Sequence, residues 1–347
     1  MTGVHLRIEG RAGRITLDRP HALNALTHEI VQEIAGALPG WAADDRVRML
    51  VIDATGDKAF CAGGDLKEIY RAGAAGDAGP ARSFWADEYR MVAALFHFPK
   101  PVVTFLGGYT LGGGVGLGCH GSHRIVGSAS RVGLPETALG LIPDVGGSLL
   151  LARAPGRLGE YLGTTARRMG PSDAIHAGFA DYFVPEAMWE ALKGALIETG
   201  DWAAVDRAAA APPDSPLATL APEIDAAFGG ETLGDIVRGL RHDGTPFAAD
   251  ALDRLSRNAP LAMAAAVEAV HRLRGPAATI ERALDLEYRY AWRAIPQGDF
   301  LEGLRAALVD RTRAPVWAHR LDAVPLVDVS RMLMPLGAEA LDLGGRA

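Results

Sequence analysis

The chain has 347 residues, 49% hydrophobic and 22% charged, a composition that excludes disordered and fibrous proteins. Its 35 basic and 42 acidic residues give a net charge of −7, so nucleic acid and anionic membranes are not expected as main partners. With only two cysteines, Cys61 and Cys119, a disulfide framework is excluded. The N-terminus shows no signal-peptide pattern, and we expect a cytoplasmic protein.

The first half of the chain alternates strand and helix patterns. Alternating apolar residues predict strands around residues 4–8 and 15–17. Thr27 is the expected N-cap of a helix whose apolar face continues to Leu38. The sequence further predicts a helix over 83–98 and strands over 47–54, 101–106, 123–126 and 131–134. This alternation predicts an α/β fold with a covered, largely parallel sheet.

The stretch from Val102 to Cys119 carries no charged residue and reaches the roughly 18-residue length of a membrane span. It is interrupted by many glycines, which make it a poor membrane helix. We therefore interpret it as a buried strand, a glycine turn and a buried helix, with no membrane partner.

The pattern changes near residue 200, where strand signals give way to alanine-rich helical segments. Helices are expected over 262–273, 277–295 and 300–308. We predict two regions, an α/β core over 1–200 that carries the site and a helical region over 201–347. The helical region is expected to pack on the core or on neighbouring subunits.

Ten of the 42 glycines cluster in three segments, 59–66, 107–114 and 140–147. The first two are read as strand-to-helix turns, where exposed backbone N–H groups favour negative charge. Two such groups that converge on one point would form an oxyanion hole, although glycines also simply relieve tight turns. A dinucleotide site is disfavoured, because Ser130 and Arg131 stand where the acidic residue of that motif is expected, and a phosphate-binding P-loop motif is absent.

Two carboxylates follow prolines in an otherwise apolar segment. Glu136 comes after Pro135 and Asp144 after Pro143, and the prolines stiffen the segment that carries both acids. We expect these carboxyls to be partly buried, which raises a carboxyl pKa toward values useful in acid–base catalysis. Glu136 could also be an ordinary acidic residue in a first helical turn. Glu88, within the predicted helix, reads by itself as a surface residue.

These motifs together resemble the enoyl-CoA hydratase/isomerase (crotonase) superfamily. The resemblance rests on ITLDRPHALNAL at 15–26, KAFCAGGDL at 58–66 and LGGG at 111–114. It implies the crotonase (ClpP/crotonase-like) fold, a spiral of ββα units followed by a helical C-terminal region. It also implies an acyl-CoA substrate and an oxyanion hole formed by the amides of Gly64 and Gly113. By the same analogy the 58–66 segment lines the CoA groove, with substrate-binding positions at Lys58, Ala62, Asp65 and Leu66.

The residue at position 116 distinguishes between subfamilies of this superfamily. Hydratases of the superfamily use two glutamates, one at the position of Glu136 and one where this chain has Gly116. Without that second acid, two-base hydration is in doubt. The runs LPETALGLIPDVGGS at 134–148, EYR at 287–289, DFLEGLRA at 299–306 and PVW at 315–317 instead resemble 3-hydroxyisobutyryl-CoA hydrolases. That likeness implies that Glu88, Gly113, Glu136 and Asp144 contact substrate or catalyse.

The resulting hypothesis is hydrolysis of a short β-hydroxyacyl-CoA thioester, a reaction of valine catabolism. Glu136 would attack the carbonyl or activate water, Asp144 would orient the substrate hydroxyl or the water, and Glu88 would hydrogen-bond the acyl hydroxyl. No metal and no separate cofactor are expected, because coenzyme A is part of the substrate. The alternatives are hydration or isomerisation of an enoyl-CoA, and a non-catalytic acyl-CoA-binding protein. The superfamily also implies a homo-oligomer, a trimer or hexamer.

Overall fold

The strands of this computed structural model, which describes residues 2–276 and 278–344, contribute to two sheets. Their bounds are β1 Val4–Glu9, β2 Ala12–Leu17, β3 Met49–Ala54, β4 Ala59–Cys61, β5 Val102–Phe105, β6 Tyr109–Leu111, β7 His123–Val126, β8 Arg131–Gly133 and β9 Tyr182–Phe183. The larger sheet has the order β1-β2-β3-β5-β7-β9 and the smaller one the order β4-β6-β8. Only the β1–β2 pair is antiparallel among these described pairings.

The order of the strands produces a spiral. The chain adds β3 to the larger sheet and β4 to the smaller one, and it repeats this alternation with β5 and β6 and then with β7 and β8. Apolar runs such as Met49–Ala54 are buried almost throughout, as expected for a strand covered on both faces. The predicted α/β fold built from ββα units is therefore confirmed.

The helices occupy most of the remaining chain. Their bounds are α1 His28–Ala43, α2 Leu66–Ala74, α3 Gly79–Phe96, α4 Gly113–Gly118, α5 Gly147–Arg153, α6 Leu158–Thr165, α7 Pro171–His176, α8 Trp189–Thr199, α9 Ala204–Ala208, α10 Pro216–Ala227, α11 Leu233–Asp243, α12 Pro246–Arg257, α13 Pro260–Leu273, α14 Ile280–Gln297, α15 Phe300–Leu304 and α16 Leu326–Met332. Thr27 caps α1 as predicted, because its side chain accepts a hydrogen bond from the Ile30 amide. None of the described helices is both long enough and apolar enough to cross a membrane.

Two compact units make up the chain, and each is discontinuous in sequence. The first unit contains both sheets and comprises the residues up to Gly64, Asp87–Gly133 and Met169–Pro216. The second comprises Asp65–Ala86, Leu134–Arg168 and the residues from Leu217 onward. The division predicted at residue 200 stays a prediction, as does the packing of the C-terminal region on a neighbouring subunit.

Each unit has its own apolar core. In the first unit, side chains of the larger sheet such as Val51 and Phe105 pack with Leu192 and Leu196 of α8. In the second unit, α13 packs against α5 and α6. Four of the five alanines of α13 are almost completely buried, and their small side chains allow the neighbouring helices to approach closely. The alanine-rich sequence therefore forms packed helices.

The structure corrects several element predictions, and the helix expected over 300–308 is α-helical only over Phe300–Leu304 and continues as a π-helical turn over Arg305–Val309. The glycine segments at 59–66 and 107–114 do not lead directly from the larger sheet to a helix, since β4 and β6 intervene. The strand expected over 131–134 ends at Gly133. The helix expected from residue 277 begins at Ile280, and Ala277 itself lies outside the described residues.

A buried ion-pair cluster in the second unit yields a pH-dependent stability prediction. The Glu160 carboxylate lies 2.6 Å from Arg274, 3.0 Å from Arg157 and 3.0 Å from His271. Burial alone would raise the pKa of Glu160, but these hydrogen bonds and charges outweigh it and lower the pKa from 4.5 to about 2. Its stabilising contribution is therefore present above pH 4.5 and is lost as the pH falls toward 2.

We expect Glu160→Gln to lower the free energy of unfolding at pH 7 by about 2 kcal/mol, below the range for a fully buried pair because the partner arginines are partly exposed. Urea unfolding of both proteins at pH 7, 4.5 and 3 measures the difference. The gap between the two proteins should narrow below pH 4.5. A gap of constant size across this range would contradict the assignment.

Candidate active site

The first two glycine segments leave the same end of the smaller sheet side by side. β4 and β6 are parallel, with Cys61 opposite Thr110, so the turns that follow these strands are neighbours. A Cβ atom built on Gly113 would lie 3.5 Å from the amide nitrogen of Gly64. The two backbone groups that the sequence predicts as an oxyanion hole are thus close together in the first unit.

The backbone of both turns requires glycine. Gly63 has φ +104° and Gly112 has φ +52°, values that side-chain-bearing residues rarely adopt. The Gly63 carbonyl accepts a hydrogen bond of 2.9 Å from the Leu26 amide, which anchors the first turn. Within the described residues, the Gly64 and Gly113 amides donate no hydrogen bond to another backbone oxygen or side chain. They are therefore available to a substrate oxygen, as stabilisation of an oxyanion requires.

Glu88 lies directly beside this pair of amides. The position that a Cβ on Gly113 would occupy is in contact with Oε1 of Glu88. The Glu88 side chain is buried, with only 3% of the residue exposed, so its reading as a surface residue is wrong. Helical spacing offered a signal for this burial, because Glu88 stands three residues after Trp85 and four before Val92, which are both buried in α3.

Cys61 is the other reactive side chain near these turns. Its thiol is completely buried, and burial together with the nearby charge of Glu88 raises its pKa to about 12. The thiol is therefore neutral at ordinary pH and is not an activated nucleophile.

The segment expected to line the CoA groove has mixed exposure. Lys58 is exposed just before β4, and its carbonyl accepts a hydrogen bond of 3.0 Å from Tyr109. Ala62 is half-buried and its amide donates to Leu23 at 3.0 Å. Asp65 and Leu66 belong to the second unit, as the N-cap and first residue of α2. Their role in binding CoA stays a prediction.

The segment that carries Glu136 and Asp144 lies in the second unit. Glu136 begins a short 3-10 helix and is 6% exposed, and Asp144 is 4% exposed. The predicted burial of both carboxyls is confirmed. The Glu136 carbonyl accepts a hydrogen bond of 3.1 Å from the Leu141 amide, which folds the segment back on itself. The site residues thus fall into two groups, Gly64, Gly113 and Glu88 in the first unit and Glu136 and Asp144 in the second.

A tight turn follows Asp144 directly. The Asp144 carbonyl accepts a hydrogen bond of 2.7 Å from the Gly147 amide. Val145 and Gly146 both have positive φ, +56° and +78°, as in a type I′ turn. The Glu287 carboxylate of α14 accepts hydrogen bonds from Gly146 and Ser148, a contact that the sequence could not indicate because these residues are 141 and 139 positions away.

No group of three or more histidine, cysteine, aspartate or glutamate side chains suited to a metal ion is present in the part of the chain that the structure describes. The two groups of candidate site residues supply the backbone amides of Gly64 and Gly113 and the carboxylates of Glu88, Glu136 and Asp144. This equipment suits stabilisation of a negatively charged oxygen and proton transfer or nucleophilic attack by a carboxylate.

The sequence matches the Enoyl-CoA hydratase/isomerase family over residues 12–333. The chain therefore belongs to this family, whose fold the spiral of two sheets already indicates. It is 35% identical to the mitochondrial 3-hydroxyisobutyryl-CoA hydrolase of Xenopus laevis, a match that covers 98% of this chain and 91% of that protein. The human mitochondrial 3-hydroxyisobutyryl-CoA hydrolase is 33% identical, with 97% and 90% covered.

Two solved structures are also similar over nearly the whole chain. A structure described as an enoyl-CoA hydratase from Rhodobacter sphaeroides is 54% identical, with a TM-score of 0.94 and coverage of 98% of this chain and 99% of that one. A structure described as a carnitinyl-CoA dehydratase from Mycobacterium thermoresistibile is 38% identical, with a TM-score of 0.94 and full coverage of both chains. The names of the similar proteins therefore divide between hydrolysis and hydration, and they agree on a CoA thioester.

The close approach of Glu88 to Gly113 predicts the effect of one methyl group. Gly113→Ala would place its Cβ against the Glu88 carboxylate and beside the Gly64 amide, which disturbs both amides of the predicted oxyanion hole. We expect kcat for an accepted acyl-CoA substrate to fall about 100- to 1,000-fold, the range for loss of an oxyanion donor. Steady-state kinetics measures the change.

Gly36→Ala is the matched control, because a Cβ at this position in α1 meets no atom within 4 Å. It should leave kcat unchanged. A Gly113→Ala protein with kcat within threefold of the unmodified protein would count against an oxyanion hole at this position.

Proposed function

We propose that this protein is an acyl-CoA thioester hydrolase that acts on a short β-hydroxyacyl-CoA such as 3-hydroxyisobutyryl-CoA. The observation that carries the proposal is Gly116, a buried residue of α4 where a two-glutamate hydratase of the family would have its second acid. The relatives named 3-hydroxyisobutyryl-CoA hydrolase support it, since they match this chain over nearly its whole length. Valine catabolism is the pathway that such a substrate would serve.

In this reaction the substrate carbonyl oxygen accepts hydrogen bonds from the Gly64 and Gly113 amides. These donors stabilise the negative charge that develops on that oxygen, each by about 3 kcal/mol in the transition state. Glu88, which adjoins Gly113, hydrogen-bonds the β-hydroxyl of the acyl group. The substrate would thus be oriented by groups at both ends of the acyl chain.

Glu136 supplies the reactive carboxylate in one of two ways. As a nucleophile it attacks the thioester carbon and the C–S bond breaks, which gives an acyl-enzyme anhydride and CoA, and water then hydrolyses the anhydride. As a general base it removes a proton from water, which attacks the thioester carbon directly. Asp144 orients the water or the substrate hydroxyl and assists proton transfer to the thiolate. Both routes consume one water and yield the free hydroxy acid and CoA.

The proposal also covers the cofactor requirement, the location and the assembly of the protein. Coenzyme A enters as part of the substrate, so the proposal needs no separate cofactor. We further propose that the protein acts in the cytoplasm as a homo-oligomer, a trimer or hexamer as the family resemblance implies.

Hydration or isomerisation of an enoyl-CoA is the second candidate function. It is favoured by the name of the Rhodobacter sphaeroides structure, which is 54% identical to this chain. In that reaction Glu136 alone would have to shuttle the proton, since Gly116 provides no carboxylate. A non-catalytic acyl-CoA-binding protein is a third reading, and the buried carboxyls of Glu136 and Asp144 count against it.

Two assays separate these functions. We expect release of free CoA thiol from 3-hydroxyisobutyryl-CoA, measured with a thiol-reactive dye, and little loss of enoyl absorbance with crotonyl-CoA. The opposite pattern would establish a hydratase. Binding of acyl-CoA without turnover of any compound in a panel of short acyl-CoAs would indicate the non-catalytic protein.

The role of Glu136 can be tested in the same assay. Glu136→Gln removes the carboxylate and keeps the size of the side chain, so we expect kcat for thiol release to fall at least about 100-fold, within the range for loss of a general base. Glu198→Gln, at an exposed position of α8, is the control and should retain full activity. Near-native kcat in Glu136→Gln would show that another group carries the reaction.

A further inference from the structure

Glu287 is a buried residue whose two carboxylate oxygens accept hydrogen bonds from Gly146 and Ser148, in and just after one turn. It lies on α14 in the second unit with none of its surface exposed. Its carboxylate accepts hydrogen bonds from the Gly146 amide at 2.8 Å, from the Ser148 amide at 3.0 Å and from the Ser148 hydroxyl. All three donors lie two to four residues after Asp144, so α14 fixes the segment that carries this acid.

The turn held by Glu287 is strained. Val145 has φ +56°, a left-handed conformation that is a genuine outlier for a β-branched residue. Such conformations persist only where surrounding contacts enforce them, and they concentrate at functional sites. Here the hydrogen bond from the Gly147 amide to the Asp144 carbonyl closes the turn. The Glu287 carboxylate, which is not part of the turn, accepts a hydrogen bond from the Gly146 amide within it.

The charge environment of Glu287 differs from that of Glu160, whose ion pairs stabilise the folded state. Glu160, a second buried glutamate of the same unit, pairs with Arg157, Arg274 and His271. In the described part of the chain Glu287 has no ion pair with a basic side chain, and its partners are the amides and hydroxyl of the turn. Burial and the charge of Asp144 raise the pKa of Glu287 to about 8, so the placement of this acid opposes its ionisation.

We propose that Glu287 is a positioning residue that holds the 144–147 turn and thereby sets the position of the Asp144 carboxylate for the reaction. This inference rests on the proposed function, because it assigns Asp144 a part in turnover. Glu287 acts through the backbone of Gly146 and Ser148, and its effect on the reaction is therefore indirect.

The test compares Glu287→Gln with the unmodified protein. A glutamine has one acceptor oxygen, and its NH₂ group would face a backbone N–H, so at least one donor of the turn loses its acceptor. We expect kcat for thiol release to fall about 10- to 100-fold, the effect of a small misplacement of a reacting group, with KM within threefold. Hydrogen exchange of the Gly146 and Ser148 amides should accelerate at least about tenfold, because their acceptor is weakened.

Three further variants separate positioning from stability. Glu287→Asp keeps the carboxylate and should recover part of kcat and of the amide protection. Ser148→Ala removes only the hydroxyl contact and should lower kcat severalfold at unchanged KM, and it decides the question if Glu287→Gln does not fold. Glu160→Gln is the control for a buried glutamate of the same unit, and it should lower the melting temperature while leaving kcat unchanged.

The outcomes are distinguishable. Native kcat and native exchange in Glu287→Gln would overturn the positioning role, as would equal losses of kcat in Glu287→Gln and Glu160→Gln at equal losses of melting temperature. Absence of thiol release by the unmodified protein would refute the proposed hydrolase. Exchange at Gly146 and Ser148 would then still decide whether Glu287 holds the turn.

Discussion

The parallel pairing of β4 with β6 is the interaction on which the candidate oxyanion hole depends. Each strand is only three residues long, yet their alignment brings the turn at Gly63 and Gly64 beside the turn at Gly112 and Gly113. The two amides come from segments about 50 residues apart, so no local motif could place them together. The smaller sheet therefore determines where the proposed oxyanion hole would lie, and the chain path that alternates between the two sheets links the smaller sheet to the larger one.

Close backbone approach explains why α4 is rich in glycine. A Cβ on Gly114 would contact the Cys61 carbonyl oxygen, and a Cβ on Gly118 would lie 2.8 Å from the Phe60 ring. α4 can consequently pack onto β4 only because it has almost no side chains on that face. The same absence of side chains leaves Gly116 without a carboxylate. The close packing and the missing second acid, on which the proposed hydrolysis depends, thus occur in one short helix.

The sequence predicted the larger sheet well, because strands such as Met49–Ala54 and Val102–Phe105 carry continuous apolar runs. It did not predict the two-residue β9, and it missed β4 and β6 because these short strands lie inside the glycine segments that were read as turns. Burial of Glu136 and Asp144 followed from their apolar surroundings in sequence. Burial of Glu88 was missed, although its spacing to Trp85 and Val92 indicates the buried face of α3. The contact of Glu287 with the turn after Asp144 could not be predicted, because these residues are distant in the chain.

Two buried glutamates of the second unit show how one fold treats acids differently. The carboxylate of Glu160 is surrounded by basic groups, and its pKa falls to about 2, so its charge stabilises the folded state. Glu287 is buried among amides, near the carboxylate of Asp144. Burial and the charge of Asp144 raise its pKa to about 8, whereas the three hydrogen bonds from Gly146 and Ser148 favour its charged form. An arrangement selected only for stability would place a cation or an apolar side chain there. Because the contacts of Glu287 meet the strained turn that carries Asp144, geometric control of that acid accounts for its placement.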